Sequence, residues 1–181
     1  MNLPVLLTLG RIVAIPVVMG LVLLEDDLSH NFGIAAAVFT VAAVTDWVDG
    51  WLARRWHQTS ITGAFLDLTA DKLLVTGTLA TLLVVDRVNI WLAFVIIARE
   101  IAVMALRGAA ANAGKMVPAS DWGKWKATIQ FVAIGLAIVR LEDKWGPLYL
   151  DEWAMIVAVI ITVISALDYA VRFRSVLFTG E

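Results

Sequence analysis

The chain has 181 residues, of which 61% are hydrophobic and 17% are charged; its formal net charge is −2 and it contains no cysteine. This length predicts a single domain, residues 1–181, and the apolar composition indicates an integral membrane protein. The lack of cysteine excludes disulfides, thiolate metal sites and thiol nucleophiles. The basic residues are too few and too scattered for a nucleic-acid-binding surface, so no nucleic acid is expected as a partner.

Six apolar stretches are each long enough, at about 20 residues, to span a bilayer. They cover residues 3–24, 32–56, 61–85, 90–110, 122–141 and 148–173. We therefore predict an all-α polytopic membrane protein, a bundle of six transmembrane helices. The first stretch has neither a basic n-region nor a small-residue cleavage site, so we interpret it as a retained helix and not as a signal peptide.

The connections between the six stretches alternate in charge, one set being mainly acidic and the other basic. By the positive-inside rule, the basic set faces the cytoplasm together with both termini. The basic set consists of Arg54, Arg55, Arg107, Lys115, Lys124, Lys126, Arg172 and Arg174.

Arg11 lies inside the first apolar stretch, about 12 Å along the helix from Leu3 at 1.5 Å per residue. A guanidinium at that depth needs a partner. Two surroundings remain open from the sequence: a cluster of aspartates further along the chain, and the inner headgroups, which the long side chain could reach by snorkelling.

Four aspartates occur in otherwise membrane-grade sequence. Asp46 and Asp49 are spaced i, i+3, and Asp67 and Asp71 are spaced i, i+4, so each pair lies on one face if its segment is helical. An ionised carboxylate inside a bilayer costs at least about 2.5–3.5 kcal/mol, so four together require a strongly positive partner. Divalent ions such as Mg²⁺ prefer oxygen ligands, and two of them about 3.5–4 Å apart could balance the four charges while binding a phosphate ester.

The complete pattern, Asp-x2-Asp-Gly-x2-Ala-Arg-x8-Gly-x3-Asp-x3-Asp, resembles the signature of the CDP-alcohol phosphotransferases. The resemblance implies two Mg²⁺ ions, or Mn²⁺ in their place, held by Asp46, Asp49, Asp67 and Asp71. It further implies a CDP-linked donor whose phosphoryl group passes to an alcohol with loss of CMP. The rival interpretation, a set of helix-terminal charges, does not account for so many positions in the right order.

Residues around the aspartates are expected to contact the donor. Small residues let a bulky ligand approach the backbone, so Gly50, Ala53 and Gly63 would shape the cytidine site. Arg54 and Lys72 would contact the pyrophosphate. Asp71 is the predicted catalytic residue, because it would complete one metal's coordination and accept the proton from the attacking hydroxyl.

A second group of cations lies on the fourth and fifth stretches. Arg99 and Arg107 are eight residues apart, hence within about 80° of the same helix face, and arginine is well suited to bidentate capture of a phosphate. Glu100 either orients one of these arginines or forms a plain intrahelical ion pair. The candidates for binding an acceptor phosphate are Arg99, Arg107, Lys124, Lys126 and Arg11.

Three segments resemble the branch of the family that uses glycerol 3-phosphate as acceptor: Ala98-Arg99-Glu100-Ile101, Leu106-Arg107 and Gly123-Lys124-Trp125-Lys126. The chain departs from the expected pattern at Ala127, where a threonine would be usual. The resemblance implies CDP-diacylglycerol and glycerol 3-phosphate as substrates and a bacterial inner membrane. Because the aspartate motif ends the second stretch and opens the third, on the basic side of the membrane, we expect the active site to face the cytoplasm.

Several alternatives remain open. The acceptor could instead be serine, inositol or a lipid alcohol, and a cation transporter is the rival from another class. We also expect contacts with membrane lipids and assembly as a homodimer. Asp168 and Tyr169 are either a pair that supports the site or residues of ordinary interfacial polarity.

Overall fold

The computed structural model describes the backbone of residues 3–24, 30–56, 61–112, 121–141 and 143–178. Within these ranges, the description leaves out the side chains of residues 3–5, 46–56, 61–62, 64–65, 112, 121, 124 and 173–178. Six α-helices account for most of the described chain, so the predicted all-α architecture is confirmed. They are α1 (Leu3–Leu23), α2 (Asn31–Trp56), α3 (Ile61–Val84), α4 (Ile90–Asn112), α5 (Asp121–Val139) and α6 (Leu150–Phe178).

The helices pack into one bundle around an apolar core. Helix α1 packs against α2 and α3, while α5 packs against α6 and α2, and α4 packs against α6. Leu79 and Ile134 are among the fully buried core residues. Helices α1 and α3 approach closely at Gly77, where an added Cβ would lie 3.2 Å from Ile15 and from Met19. A larger residue there would require the Ile15 and Met19 side chains to shift by a few tenths of an ångström.

Helix ends follow local capping rules. Asp86 (φ 53) ends α3 in the left-handed conformation, and the Arg87 amide then donates to the Leu82 carbonyl at 2.9 Å, as in a Schellman motif. The Asn89 side chain caps α4 by accepting from the Trp91 amide at 2.9 Å. The predicted helix limits consequently agree with the observed ones within two residues, except that α6 continues past the predicted residue 173 to Phe178.

The connection before α6 departs from the prediction. The predicted sixth helix began at residue 148, but residues Lys144–Trp145 (β1) and Leu148–Tyr149 (β2) pair as a short antiparallel hairpin, and α6 begins at Leu150. The turn forms because Gly146 adopts a φ of 74°, a left-handed conformation that glycine reaches without steric cost, and Pro147 follows it. Glu152 then accepts from the Tyr149 amide at 2.8 Å, which caps the start of α6.

The outside of the bundle is strongly apolar. Large side chains such as Val13, Phe94 and Leu167 are more than half exposed, which water would not favour over so wide a surface. Helices α1 and α6, over Leu6–Leu23 and Leu150–Arg172, are long and apolar enough to cross a membrane. These features are those of a membrane protein.

The two ends of the bundle carry different polar groups. At one end, Arg140 pairs with Asp151 at 3.2 Å and donates to the Arg87 carbonyl at 2.9 Å, so the connection after α3 is tied to the ends of α5 and α6. Polar side chains at the other end come from the start of α3, the second half of α4, the start of α5 and the end of α6. This second end holds the candidate site.

Candidate functional site

A cavity of about 210 Å³ lies between α3, α4, α5 and α6. Asp71, the last aspartate of the motif, and Lys72, which follows it, line the cavity on one side. Three predicted acceptor-binding cations, Arg99, Arg107 and Lys126, line the same cavity. The structure therefore brings the end of the aspartate motif together with most of the predicted phosphate-binding group. The other lining residues are Leu68, Glu100, Val103, Met104, Gly123, Ala127 and Tyr169.

The charges around this cavity favour an anion. Among the side chains that the structure describes, its lining includes four cations and two carboxylates, a net charge of two positive. A phosphate monoester carries about two negative charges at neutral pH. A cavity of this charge suits a phosphate on a small molecule better than a neutral or cationic ligand.

Glu100 on α4 pairs with cations from three helices. One oxygen of its buried carboxylate lies 2.8 Å from the Lys72 ammonium on α3. The other oxygen contacts Lys126 on α5 and lies 3.4 Å from a nitrogen of the neighbouring Arg99. A buried carboxylate is tolerated only with such compensation. An ion pair within one helix, one of the two roles expected for Glu100 from the sequence, accounts only for the Arg99 contact. The two lysines that also contact Glu100 lie on α3 and α5.

Arg99 and Arg107 are each held by a hydroxyl group of α6. An Arg99 nitrogen donates to the Ser165 hydroxyl at 2.7 Å, and an Arg107 nitrogen donates to the Tyr169 hydroxyl. The Nε atoms of both arginines are buried and have no hydrogen-bond partner among the described residues. Buried N–H groups are seldom left unpaired, which marks both guanidinium groups as incompletely bonded beside the cavity that they line.

Arg11 lies apart from that cavity. It is almost fully buried; one of its terminal nitrogens is 2.8 Å from an Asp67 oxygen, and its Nε donates to the Ala42 carbonyl at 3.2 Å. Of the two surroundings considered from the sequence, the structure thus shows the aspartate partner and not the headgroup region. Arg11 is not among the described residues that line the cavity, so it lies apart from Arg99, Arg107 and Lys126.

Both described aspartates of the motif have a cationic partner. Asp67 pairs with Arg11, and Asp71 lies 2.5 Å from the Lys72 ammonium. The Asp67 side chain is nonetheless 37% exposed, so its carboxylate is accessible to a ligand. Carboxylate oxygens one helical turn apart are chemically suited to a hard divalent cation. No group of three or more metal-binding side chains occurs among the side chains that the structure describes.

For several predicted site residues the structure describes the helical backbone but not the side chain. Both halves of the aspartate motif are helical, as predicted, since residues 46–54 lie in α2 and residues 63–71 in α3. Gly63 itself is half-buried near the start of α3. The side chains outside the description are those of Asp46, Asp49, Gly50, Ala53, Arg54 and Lys124; Lys115 lies outside the described residues altogether.

Asp168 and Tyr169, near the end of α6, lie in different environments. Tyr169 is buried and lines the cavity, whereas Asp168 pairs with Arg172 one turn along the same helix at 3.1 Å. Ser165 was not among the residues predicted from the sequence. A lone serine in an apolar helix gives no local signal, because its importance depends on which helix packs against it.

The sequence matches a known family. The chain belongs to the CDP-alcohol phosphatidyltransferase family, whose model matches residues 1–164.

Relatives similar to this chain are named CDP-diacylglycerol–glycerol-3-phosphate 3-phosphatidyltransferase. The relative in Escherichia coli K12 is 41% identical over 184 residues, which cover 96% of each chain. The relative in Haemophilus influenzae is 38% identical over 176 residues, covering 93% of this chain and 91% of the relative. The relative in Bacillus subtilis 168 is 37% identical over 181 residues, covering 93% of each chain.

Proposed function

We propose that this protein transfers the phosphatidyl group of CDP-diacylglycerol to glycerol 3-phosphate, forming phosphatidylglycerophosphate and CMP. The observation that carries the proposal is one cavity shared by Asp71 of the motif, by the adjacent Lys72 and by the cations Arg99, Arg107 and Lys126. A phosphate-bearing acceptor can therefore bind next to the donor. The names of the relatives in three bacteria describe the same two substrates, which supports the assignment.

The acceptor phosphate is assigned to the cationic side of the cavity. Arg99 and Arg107 line this side with incompletely bonded guanidinium groups, and Lys126 adds a third positive charge. Each guanidinium has five N–H donors in a planar fork, so the hydroxyl contacts from α6 leave others for the phosphate oxygens. Lys124, two residues before Lys126, is proposed as a further contact.

The donor is assigned to the side formed by α2 and α3. Lys72 and Arg54 would contact the pyrophosphate, and Gly50, Ala53 and Gly63 would leave room for the cytidine. Lys72 supports this arrangement because it lines the cavity while it pairs with both Asp71 and Glu100. Its ammonium lies between the Asp71 and Glu100 carboxylates and would contact the donor phosphates from there.

Divalent ions are expected on the aspartates. Asp46, Asp49, Asp67 and Asp71 would hold two Mg²⁺ or Mn²⁺ ions, which, when bound, neutralise the phosphate charge and polarise the phosphoryl oxygens. The exposed Asp67 carboxylate fits this role, and Arg11 would keep it oriented from its buried side.

The chemical step is a substitution at the phosphorus of the phosphatidyl group. A hydroxyl oxygen of glycerol 3-phosphate forms the new P–O bond, and the P–O bond to CMP breaks. Asp71 accepts the hydroxyl proton, and Lys72 at 2.5 Å keeps the Asp71 carboxylate in place. The residues around the cavity contribute mainly by holding two phosphates in reacting positions and by balancing their charge.

We place the enzyme in the bacterial inner membrane, with six spans and its site facing the cytoplasm. The cavity end carries the cationic residues Arg107, Lys126 and Arg172, which the positive-inside rule assigns to the cytoplasmic side. Soluble glycerol 3-phosphate could then reach the site from the cytoplasm, while CDP-diacylglycerol arrives from the surrounding lipid. Assembly as a homodimer belongs to the same proposal.

The test is CMP release by the purified protein with CDP-diacylglycerol, Mg²⁺ and a panel of acceptors. We expect turnover with glycerol 3-phosphate and very little with glycerol, its matched control without the phosphate. Serine, inositol and a lipid alcohol complete the panel. Comparable kcat/KM with an acceptor that lacks a phosphate would contradict the proposal.

A further inference from the structure

Helix α6 presents two hydroxyl groups to the arginines of α4. Ser165 and Tyr169 are one helical turn apart and both are buried. Ser165 accepts a hydrogen bond from Arg99 at 2.7 Å, and Tyr169 accepts one from Arg107. Each cation of the α4 pair therefore has its own partner on α6.

The Tyr169 ring strengthens this arrangement. Its centroid lies 5.5 Å from the Arg99 guanidinium carbon and 5.2 Å from that of Arg107. Both distances are within the range, about 6 Å, at which a cation is attracted to an aromatic ring. One aromatic side chain thus contacts both cations and keeps them near each other despite their like charge.

Arginine side chains lose considerable rotational freedom when they bind an anion, and a tether reduces that loss. The contacts to α6 use one terminal nitrogen of each guanidinium and leave both Nε donors without a partner in the described part of the chain. The tethered cations are therefore preorganised and still have donors for a phosphate.

We propose that Ser165 and Tyr169 are positioning residues that hold Arg99 and Arg107 in the arrangement which binds the acceptor phosphate. This inference rests on the proposed function, because it refines the same site. Neither residue belongs to the aspartate motif, and both lie beyond residue 164, where the match to the family model ends. Both residues act through the arginines and not on the reacting atoms.

Two variants that remove only a hydroxyl group test the proposal: Tyr169→Phe and Ser165→Ala. Each should raise the KM for glycerol 3-phosphate about 5- to 20-fold, less than the loss of a phosphate contact itself, because the arginine remains and only its tether is removed. The KM for CDP-diacylglycerol and kcat should stay within about 2-fold of the parent, because the donor site is untouched. Ser165→Thr keeps a hydroxyl and should restore most of the acceptor KM.

Thr162→Val is the matched control on the same helix. Thr162 is fully buried and accepts a hydrogen bond from the Gln130 amide at 2.9 Å, away from the cavity lining. This control removes a buried α6 hydroxyl contact of similar kind without touching an arginine. It should lower the thermal stability in detergent and leave the acceptor KM unchanged.

Calorimetric binding of inorganic phosphate to the purified protein separates this inference from the proposed function. If the parent releases no CMP with glycerol 3-phosphate, the reaction assignment fails. The positioning role still stands in that case if phosphate binding weakens in Tyr169→Phe and Ser165→Ala but not in Thr162→Val. If the parent is active and both variants keep the parental acceptor KM and phosphate affinity, the positioning role is overturned. Equal losses in all three variants would also overturn it.

Discussion

The buried carboxylate of Glu100 lies 2.8 Å from the ammonium of Lys72, which joins helix α4 to the aspartate motif of α3. The other Glu100 oxygen contacts Lys126 on α5. One acid therefore holds a lysine assigned to the donor and a lysine assigned to the acceptor. This sharing makes Glu100 a structural link between the two substrate sites.

Replacing Glu100 with Gln should impair both sites at once. The neutral amide cannot compensate two ammonium groups, so Lys72 and Lys126 would repel each other and leave their positions. We expect KM to rise about 10-fold for each substrate and the free energy of unfolding to fall by about 1–3 kcal/mol. Initial rates with each substrate varied in turn, together with thermal unfolding in detergent, provide the measurement. Glu152→Gln, at the opposite end of the bundle, should leave both KM values unchanged.

Replacing Arg107 with Ala should damage acceptor binding selectively. The loss of one charge-assisted contact corresponds to about 1.5–3 kcal/mol, or roughly 10- to 150-fold in the KM for glycerol 3-phosphate. Donor KM should change little. The control is Arg172→Ala, which removes a half-exposed arginine paired with Asp168 on α6. An equal rise in donor KM for Arg107→Ala would assign Arg107 to the lipid site.

Replacing Asp71 with Asn separates proton acceptance from metal binding. If Asp71 mainly takes the proton, the variant should bind CDP-diacylglycerol within a few-fold of the parent while kcat falls about 10²- to 10⁴-fold. Donor affinity measured without acceptor, beside single-turnover rates, decides between the roles. Collapse of donor binding would identify a metal ligand, and parental activity would remove Asp71 from the mechanism.

Replacing Asp49 with Asn should weaken metal binding and abolish turnover together, because an amide brings no charge to balance a divalent ion. Direct binding of Mn²⁺, followed by electron paramagnetic resonance, gives a readout independent of activity. Asp168→Asn serves as the control, since Asp168 pairs with Arg172 instead. Normal CMP release at ordinary Mg²⁺ would argue against a metal role for Asp49.

Replacing Asp151 with Asn should reduce stability without changing substrate affinity. Asp151 is buried and forms the ion pair with Arg140 that ties the end of α5 to the start of α6, far from the cavity. Because Arg140 is partly exposed, we expect a loss of about 1–2 kcal/mol in the free energy of unfolding. Thermal unfolding and acceptor KM should be measured on the same preparation, and a changed KM would show that the two ends are coupled.

Local patterns in the sequence were sufficient for the helices and for the motif. Apolar length predicts where a chain becomes helical in a membrane, and capping groups such as Asn89 lie next to the helix they begin. The predicted limits were therefore accurate for most helices. The predicted start of α6 was wrong because Leu148 and Tyr149 are apolar enough to extend a helix. Gly146 and Pro147 instead form a turn, and Leu148 and Tyr149 pair with Lys144 and Trp145 as a strand.

The sequence by itself determined the family, the six helices and the spacing of the aspartates, since each depends on residues close together in the chain. Only the tertiary structure decided the partners: Lys72 and Lys126 at Glu100, Asp67 at Arg11, and the α6 hydroxyls at the arginines. Ser165 lies 66 residues from Arg99, and Tyr169 lies 62 from Arg107. Buried charges must be compensated by whichever groups come within a few ångströms, and helix packing, not sequence distance, brings those groups together.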